Sequence, residues 1–178
     1  MKYERTFFTA DLHFGHKNII AYENRPFPNV QTMDEELIKR YNAVVGKNDR
    51  VFILGDFSFY GKEKSTMLCQ RLNGIKILVM GNHDEKRPSY YRSCGFEEVY
   101  DFPIILDGFW ILSHEPLYVN SNMPYANIFG HVHGNPIYAD YTKQSFCACV
   151  ERWNYAPIDF EEIKRLMGVS EPEPTDIN

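Results

Sequence analysis

Five short apolar runs recur along the chain, "RTFFTA", "RVFIL", "IKILVM", "FWILS" and "ANIFG", and each is followed at once by polar residues. Runs of this length, apolar, β-branched or aromatic, read as strands. After the first stand Asp11 and His13 of "DLH", after the second Asp56 of "GD", and after the third Asn82 and His83 of "GNHD". His114 follows the fourth run, and His131 and His133 of "GHVH" follow the fifth. Strands of one sheet can deliver such residues to a common edge, where α/β folds place their sites.

Helix signals lie between the runs. "TMDEELIKRYNAVV" opens with Thr32 as an N-cap and Glu35 three residues on, a capping box, and carries Met33, Leu37, Ile38, Tyr41 and Val45 along one side. "KEKSTMLCQRLNG" ends at Gly74, and "IDFEEIKRLMG" runs from an Asp159 cap to Gly168. Alternating strands and helices predict an α/β fold. The 178 residues fit one domain, assigned to 1–169, with "SEPEPTDIN" (170–178) as a flexible acidic tail.

The opening residues lack the apolar core of a secretory leader, and no run approaches a membrane span, so a soluble, cytoplasmic chain with no membrane partner is expected. With a net charge of −5 and scattered Lys and Arg, extended nucleic-acid binding is not expected, while a small phosphorylated substrate is. Cys69, Cys94, Cys147 and Cys149 show no CxxC spacing, which argues for reduced, buried thiols. Tyr118, Tyr125 and Trp153 are read as core aromatics. Oligomeric state is not encoded in any of these features.

Asp11, His13, Asp56, Asn82, His114, His131 and His133 form a set of seven donors, too many for one ion. Shared between two ions, with one carboxylate bridging, they give each ion four protein ligands and leave positions for water, an arrangement that clamps a phosphoryl group. His131 and His133, two apart on an extended strand, would share a face. Imidazole and carboxylate without thiolate suit manganese or iron first, with zinc, nickel and cobalt also accommodated.

In their order, "DLH", "GD", "GNHD", a lone histidine and "GHVH" resemble the motifs of the calcineurin-like metallophosphoesterases, and "DLHFGHKNII", "NRPF" and "CVERWNYAPIDFEEI" resemble a small bacterial and phage branch. The resemblance implies a four-layer sandwich of two mixed β-sheets flanked by helices. It further implies two divalent transition-metal ions, one held by Asp11, His13 and His133, the other by Asn82, His114 and His131, with Asp56 bridging. His83 would face the substrate and protonate the leaving oxygen or stabilise the transition state, which an imidazole can do near neutral pH. The implied reaction is hydrolysis of a phosphodiester or nucleotide-like phosphoester by metal-bound hydroxide. Asn82 donates an oxygen without charge, preserving the positive centre that a phosphate needs.

The aspartate-arginine pair that protein phosphatases carry after "GD" is absent, since this chain reads "GDFSFYG" with Phe59 and Tyr60 there. Arg25 of "NRPFP" and His16 of "FGHKN" are candidate substrate contacts in its place, beside Asn82. Two alternatives compete with the hydrolase. One is a non-catalytic scaffold of the same fold, which would be expected to lose ligands that are all present here. The other is a nuclease acting on short single strands.

Overall fold

The computed structural model describes residues 3–169, so the tail assigned to 170–178 lies outside the described residues. Their order is β1 (Thr6–Thr9), α1 (Ile19–Tyr22), α2 (Val30–Val44), β2 (Arg50–Leu54), α3 (Lys62–Arg71), β3 (Ile75–Val79), α4 (Pro88–Cys94), β4 (Glu98–Tyr100) and β5 (Ile104–Leu106). β6 (Trp110–Leu112), β7 (Ala126–Phe129), β8 (Ser145–Cys147), a 3-10 turn (Val150–Arg152), β9 (Ile158–Asp159) and α5 (Phe160–Met167) complete it. The five apolar runs supply β1, β2, β3, β6 and β7. The other four strands are two or three residues long, too short to carry a periodic signal.

One sheet has the order β4-β3-β2-β1-β9 and the other β5-β6-β7-β8. Both are mixed: β9 runs antiparallel to β1, and β5 antiparallel to β6, while the remaining pairs are parallel. The period of two along each strand divides the core. Phe7, Val51 and Ile53 face α2, α3 and α4 through Met33, Leu37, Tyr41, Leu68 and Tyr91, whereas Phe8, Phe52 and Leu54 meet Leu112, Ile128 and Phe146 of the second sheet. α5 adds Phe160, Ile163 and Met167 to that second cluster. Two mixed sheets flanked by helices are thus what the chain forms, consistent with the expected four-layer sandwich. No helix among the described residues is long and apolar enough to cross a membrane.

Some local expectations are corrected. The N-cap of α2 is Asn29, not Thr32: the Asn29 side chain accepts from the Thr32 backbone N–H at 2.8 Å, which starts the helix nearly a turn earlier. α3 ends at Arg71, with Gly74 (φ +79°) in the turn beyond it. The α5 caps agree with the sequence, Asp159 accepting from Glu161 and Gly168 closing in the left-handed region. Pro88 at the start of α4 and Gly95 at its end bracket a further short helix, beyond the three that the capping and periodicity signals predict. Trp153 stacks on Phe146 at 4.9 Å, but Tyr118 is exposed rather than core.

Candidate metal centre

Asp11, Asp56, His114 and His131 each stand two residues beyond the ends of β1, β2, β6 and β7, and Asn82 three beyond β3. All these strands except β6 and β7 lie in the first sheet, so the centre draws on both sheets at the carboxyl ends of their parallel strands. The backbone there is strained. Asp11, His13, Asp56, His131 and His133 all have φ between +47° and +69°, a region that costs a side chain about 1–2 kcal/mol per residue. Clustering of such residues marks a place where packing holds the chain against its preference. It also corrects one expectation: β7 ends at Phe129, so His131 and His133 are set by a turn and not by a strand face.

Packing around the turn is close. A Cβ on Gly130 would lie 2.6 Å from both Ala10 Cβ and Asp11 Oδ2, so only glycine lets this segment approach Asp11. The approach allows the His131 backbone N–H to donate to Asp11 Oδ2 at 2.8 Å. Cys149 donates its thiol to the same oxygen at 3.2 Å, and burial raises its pKa well above the ordinary thiol value, which keeps it a donor. Cys147 and Cys149 are buried with sulfurs 3.3 Å apart, and all four cysteines are free thiols.

Two groups of donors face each other across Asp56. In the first, His13 Nε2 and His133 Nε2 lie 3.8 and 3.7 Å from Asp11 Oδ1, and His13 Nε2 lies 3.4 Å from Asp56 Oδ2. In the second, His114 Nε2 lies 3.6 Å from Asp56 Oδ2, 2.9 Å from Asn82 Oδ1 and 3.1 Å from His131 Nδ1. His131 Nδ1 is itself 3.1 Å from Asn82 Oδ1. Asp11, His13 and His133, and Asp11, Asp56 and His114, are two clusters sharing Asp11, each with the donor atoms to hold a metal ion. The chemistry of one pair tests the fit: Asp11 Oδ1 and His13 Nε2 are buried and have no hydrogen-bond partner. A buried polar atom without a partner is unfavourable by about 1–3 kcal/mol, and a cation between these atoms would satisfy both.

Charge points the same way. Burial alone would raise the Asp11 carboxyl, yet the close approach of His13 and the nearby charges of His133 and His114 hold it far below the carboxylate range. Burial would lower His133, but Glu151 and Asp11 raise it to about 9. A field that binds a proton this firmly also favours a divalent cation in the proton's place. His13, itself buried, is lowered by desolvation despite Asp11 and Asp56.

Behind the ligands stands a layer that the sequence reading missed. Glu151 Oε1 lies 3.0 Å from His133 Nδ1, turning the Nε2 edge toward Asp11. Leu54 O lies 2.8 Å from His114 Nδ1 and fixes that ring in the same way. Asp84 accepts backbone N–H bonds from Asp56 (2.8 Å), Phe57 (3.2 Å) and Gly81 (2.9 Å), and burial pushes its carboxyl up to about 6. Glu151 lies within the stretch "CVERWNYAPIDFEEI", but nothing in that stretch assigns it a role. Its role depends on the bridge between Ala10 and Cys149, which brings the segment after β8 alongside the end of β1.

The candidate substrate contacts fare differently. Arg25 has no exposed side-chain surface, and its guanidinium donates to Glu151 Oε1 (3.0 and 2.6 Å), Leu12 O (3.1 Å) and Asp11 O (2.7 Å). Its charge is held inside the protein, which is at odds with substrate contact. His16 is partly exposed, with Nδ1 3.3 Å from His13 Nδ1 and its ring stacked on Phe59 at 4.0 Å. Burial, then the neighbouring His13 and His83, lowers its pKa to about 4. His83 is exposed, its ring 5.7 Å from that of His13, and its backbone N–H donates to Asp56 Oδ1 at 3.0 Å.

A family model described as calcineurin-like phosphoesterase matches residues 4–165. The uncharacterized protein MJ1445 of Methanocaldococcus jannaschii is 33% identical over 181 residues, covering 94% of this chain and 93% of that protein. The Gene 66 protein of Mycobacterium phage L5 is 40% identical over 86 residues, 47% of this chain and 41% of its own length. Among solved structures, the protein of unknown function AQ665 from Aquifex aeolicus is similar with a TM-score of 0.70 and 29% identity, over 91% of this chain and 98% of that one. Pseudomonas putida nuclease MPE shares the fold at a TM-score of 0.51 and 24% identity, over 72% of this chain and 62% of that one.

Proposed function

The chain belongs to the calcineurin-like phosphoesterase family, and from that premise we propose that it hydrolyses a phosphodiester or nucleotide-like phosphoester with two divalent cations. The observation that carries the reading is the buried, unpartnered pair Asp11 Oδ1 and His13 Nε2. Asp11, His13 and His133 hold one ion in this reading, and Asn82, His114 and His131 the other. Asp56 bridges, supported by its distances of 3.4 and 3.6 Å to a histidine of each group. Manganese or iron suits this donor set best. Bound ions would supply Lewis-acid polarisation of the phosphoryl oxygens and a nucleophile near neutral pH.

The chain's own residues do the rest. Asn82 adds an oxygen without negative charge, so the centre stays attractive to an anionic phosphate. His83, tied through its backbone to the bridging carboxylate and exposed at the rim, is assigned proton delivery to the leaving oxygen. Glu151 positions His133, Arg25 holds Glu151, and His16 holds His13. None of these three need touch substrate.

A panel of phosphomonoesters, cyclic nucleotides, dinucleotides and short single strands, assayed with manganese, nickel and zinc, tests the reading. Turnover of one class is expected, and His83→Ala should lower kcat about 10²- to 10⁴-fold with metal content unchanged. No turnover of any class by metal-loaded protein would count against it. Glu151→Gln keeps the shape but removes the charge that orients His133. Metal affinity, measured by chelator competition, should fall about 10- to 100-fold. An unchanged affinity would remove Glu151 from the account.

A further inference from the structure

A cavity of about 220 Å³ opens beside the centre, walled by Phe59, Tyr60, His83, Lys86, Tyr90 and Tyr91. None of its residues except His83 has a part in the function proposed above. His83 is a wall shared with the metal centre, its ring 5.7 Å from His13 and 5.2 Å from Phe59. Phe59 is 44% exposed but not loose, because His16 stacks on it at 4.0 Å with an interplanar angle of 20°. On the far side α4 supplies Tyr90 and Tyr91, set edge to face at 5.2 Å, with Tyr91 anchored in the core.

The walls are selective in three ways. The cavity is smaller than the roughly 300–1,000 Å³ that encloses a drug-sized molecule, so it takes one ring system and not a whole nucleotide. Four of the walls are benzene or phenol rings, which favour a planar π-face over an aliphatic group. Lys86 is offset by Glu85 on the same cavity, so no net charge invites the phosphate itself. Together these two side chains offer a donor and an acceptor to the edge of a ring, which a nucleobase matches and a plain phenyl group does not.

We infer that this cavity is a nucleobase subsite, seating the base against Phe59 and Tyr90 while the phosphate lies at the metal centre. The position of the phosphate rests on the hydrolase reading. The binding chemistry of the cavity does not.

Calorimetric titration of the manganese-loaded protein with adenosine 5′-monophosphate, ribose 5-phosphate, phenyl phosphate and inorganic phosphate separates the two. Stacking on an aromatic side chain should make the nucleotide bind roughly tenfold tighter than ribose 5-phosphate. Phe59→Ala should abolish that advantage and leave ribose 5-phosphate affinity within about twofold. Phe59→Leu, which keeps apolar volume without a π-face, should retain only part of it. Equal affinities for nucleotide and sugar phosphate in the wild type would overturn the inference, as would an advantage that survives Phe59→Ala. Phenyl phosphate binding as tightly as the nucleotide would overturn the nucleobase assignment in favour of an aryl ester. Turnover of a dinucleotide by the same manganese-loaded protein keeps the readings apart. Base-dependent binding without turnover sinks the hydrolase and leaves the subsite, whereas turnover without base dependence does the reverse.

Discussion

Arg25→Met should destabilise the folded protein by about 3–5 kcal/mol, the range for breaking a buried ion pair from one side. The Arg25 side chain is wholly buried and that of Glu151 is 7% exposed, so water screens the pair little. Methionine fills much of the space but leaves the Glu151 carboxylate with His133, 3.0 Å away, as its remaining counter-charge. It also strips the Leu12 and Asp11 carbonyls of their donor, in the very loop that carries Asp11 and His13. The double variant Arg25→Met, Glu151→Gln removes the stranded charge and should recover more than half of the loss, a coupling that a double-mutant cycle reads directly. Urea unfolding of the four proteins checks both statements. A loss under about 1 kcal/mol for Arg25→Met, paired with a raised KM, would return Arg25 to the substrate-binding surface.

Asp56→Asn should have the largest effect on chemistry. The replacement keeps an oxygen able to accept from the His83 backbone N–H, so the loop should hold its place. It removes the carboxylate whose Oδ2 lies 3.4 and 3.6 Å from a histidine of each group and puts an amide nitrogen, which cannot ligate a cation, in its place. At least one ion should be lost. With it goes several kcal/mol of transition-state stabilisation, on the order of a thousandfold or more in kcat. Stability without metal should stay level or rise, because a buried charge has been taken away. Plasma emission spectrometry and steady-state kinetics measure the two effects. Retention of both ions with kcat within tenfold of wild type would show that Asp56 does not bridge.

Much of this centre was legible in the sequence because the strands that carry it are covered on both faces. β1, β2, β3 and β7 read as mainly apolar runs, with Lys76 inside β3 and Asn127 inside β7, and the ligating residues stand just beyond each strand's carboxyl end. The local geometry was not legible. His131 and His133 look like alternate residues of a strand, and only the left-handed turn beyond Phe129 turns one ring toward Asn82 and the other toward Asp11. Arg25 looks like a loop cation because its partner lies 126 residues away. Glu151 was hidden for the same reason, since the pairing that brings it to His133 is made by neither periodicity nor motif. At α2 two capping residues competed within one turn, and Asn29 prevails because its side chain reaches the Thr32 N–H.

The most direct test of the account is the number of ions that the centre takes up. Protein loaded with manganese, desalted and measured by elemental analysis should carry two equivalents per chain, with anomalous scattering placing both between Asp11, Asp56 and the four histidines His13, His114, His131 and His133. One or no equivalent, or scattering away from these side chains, would contradict it.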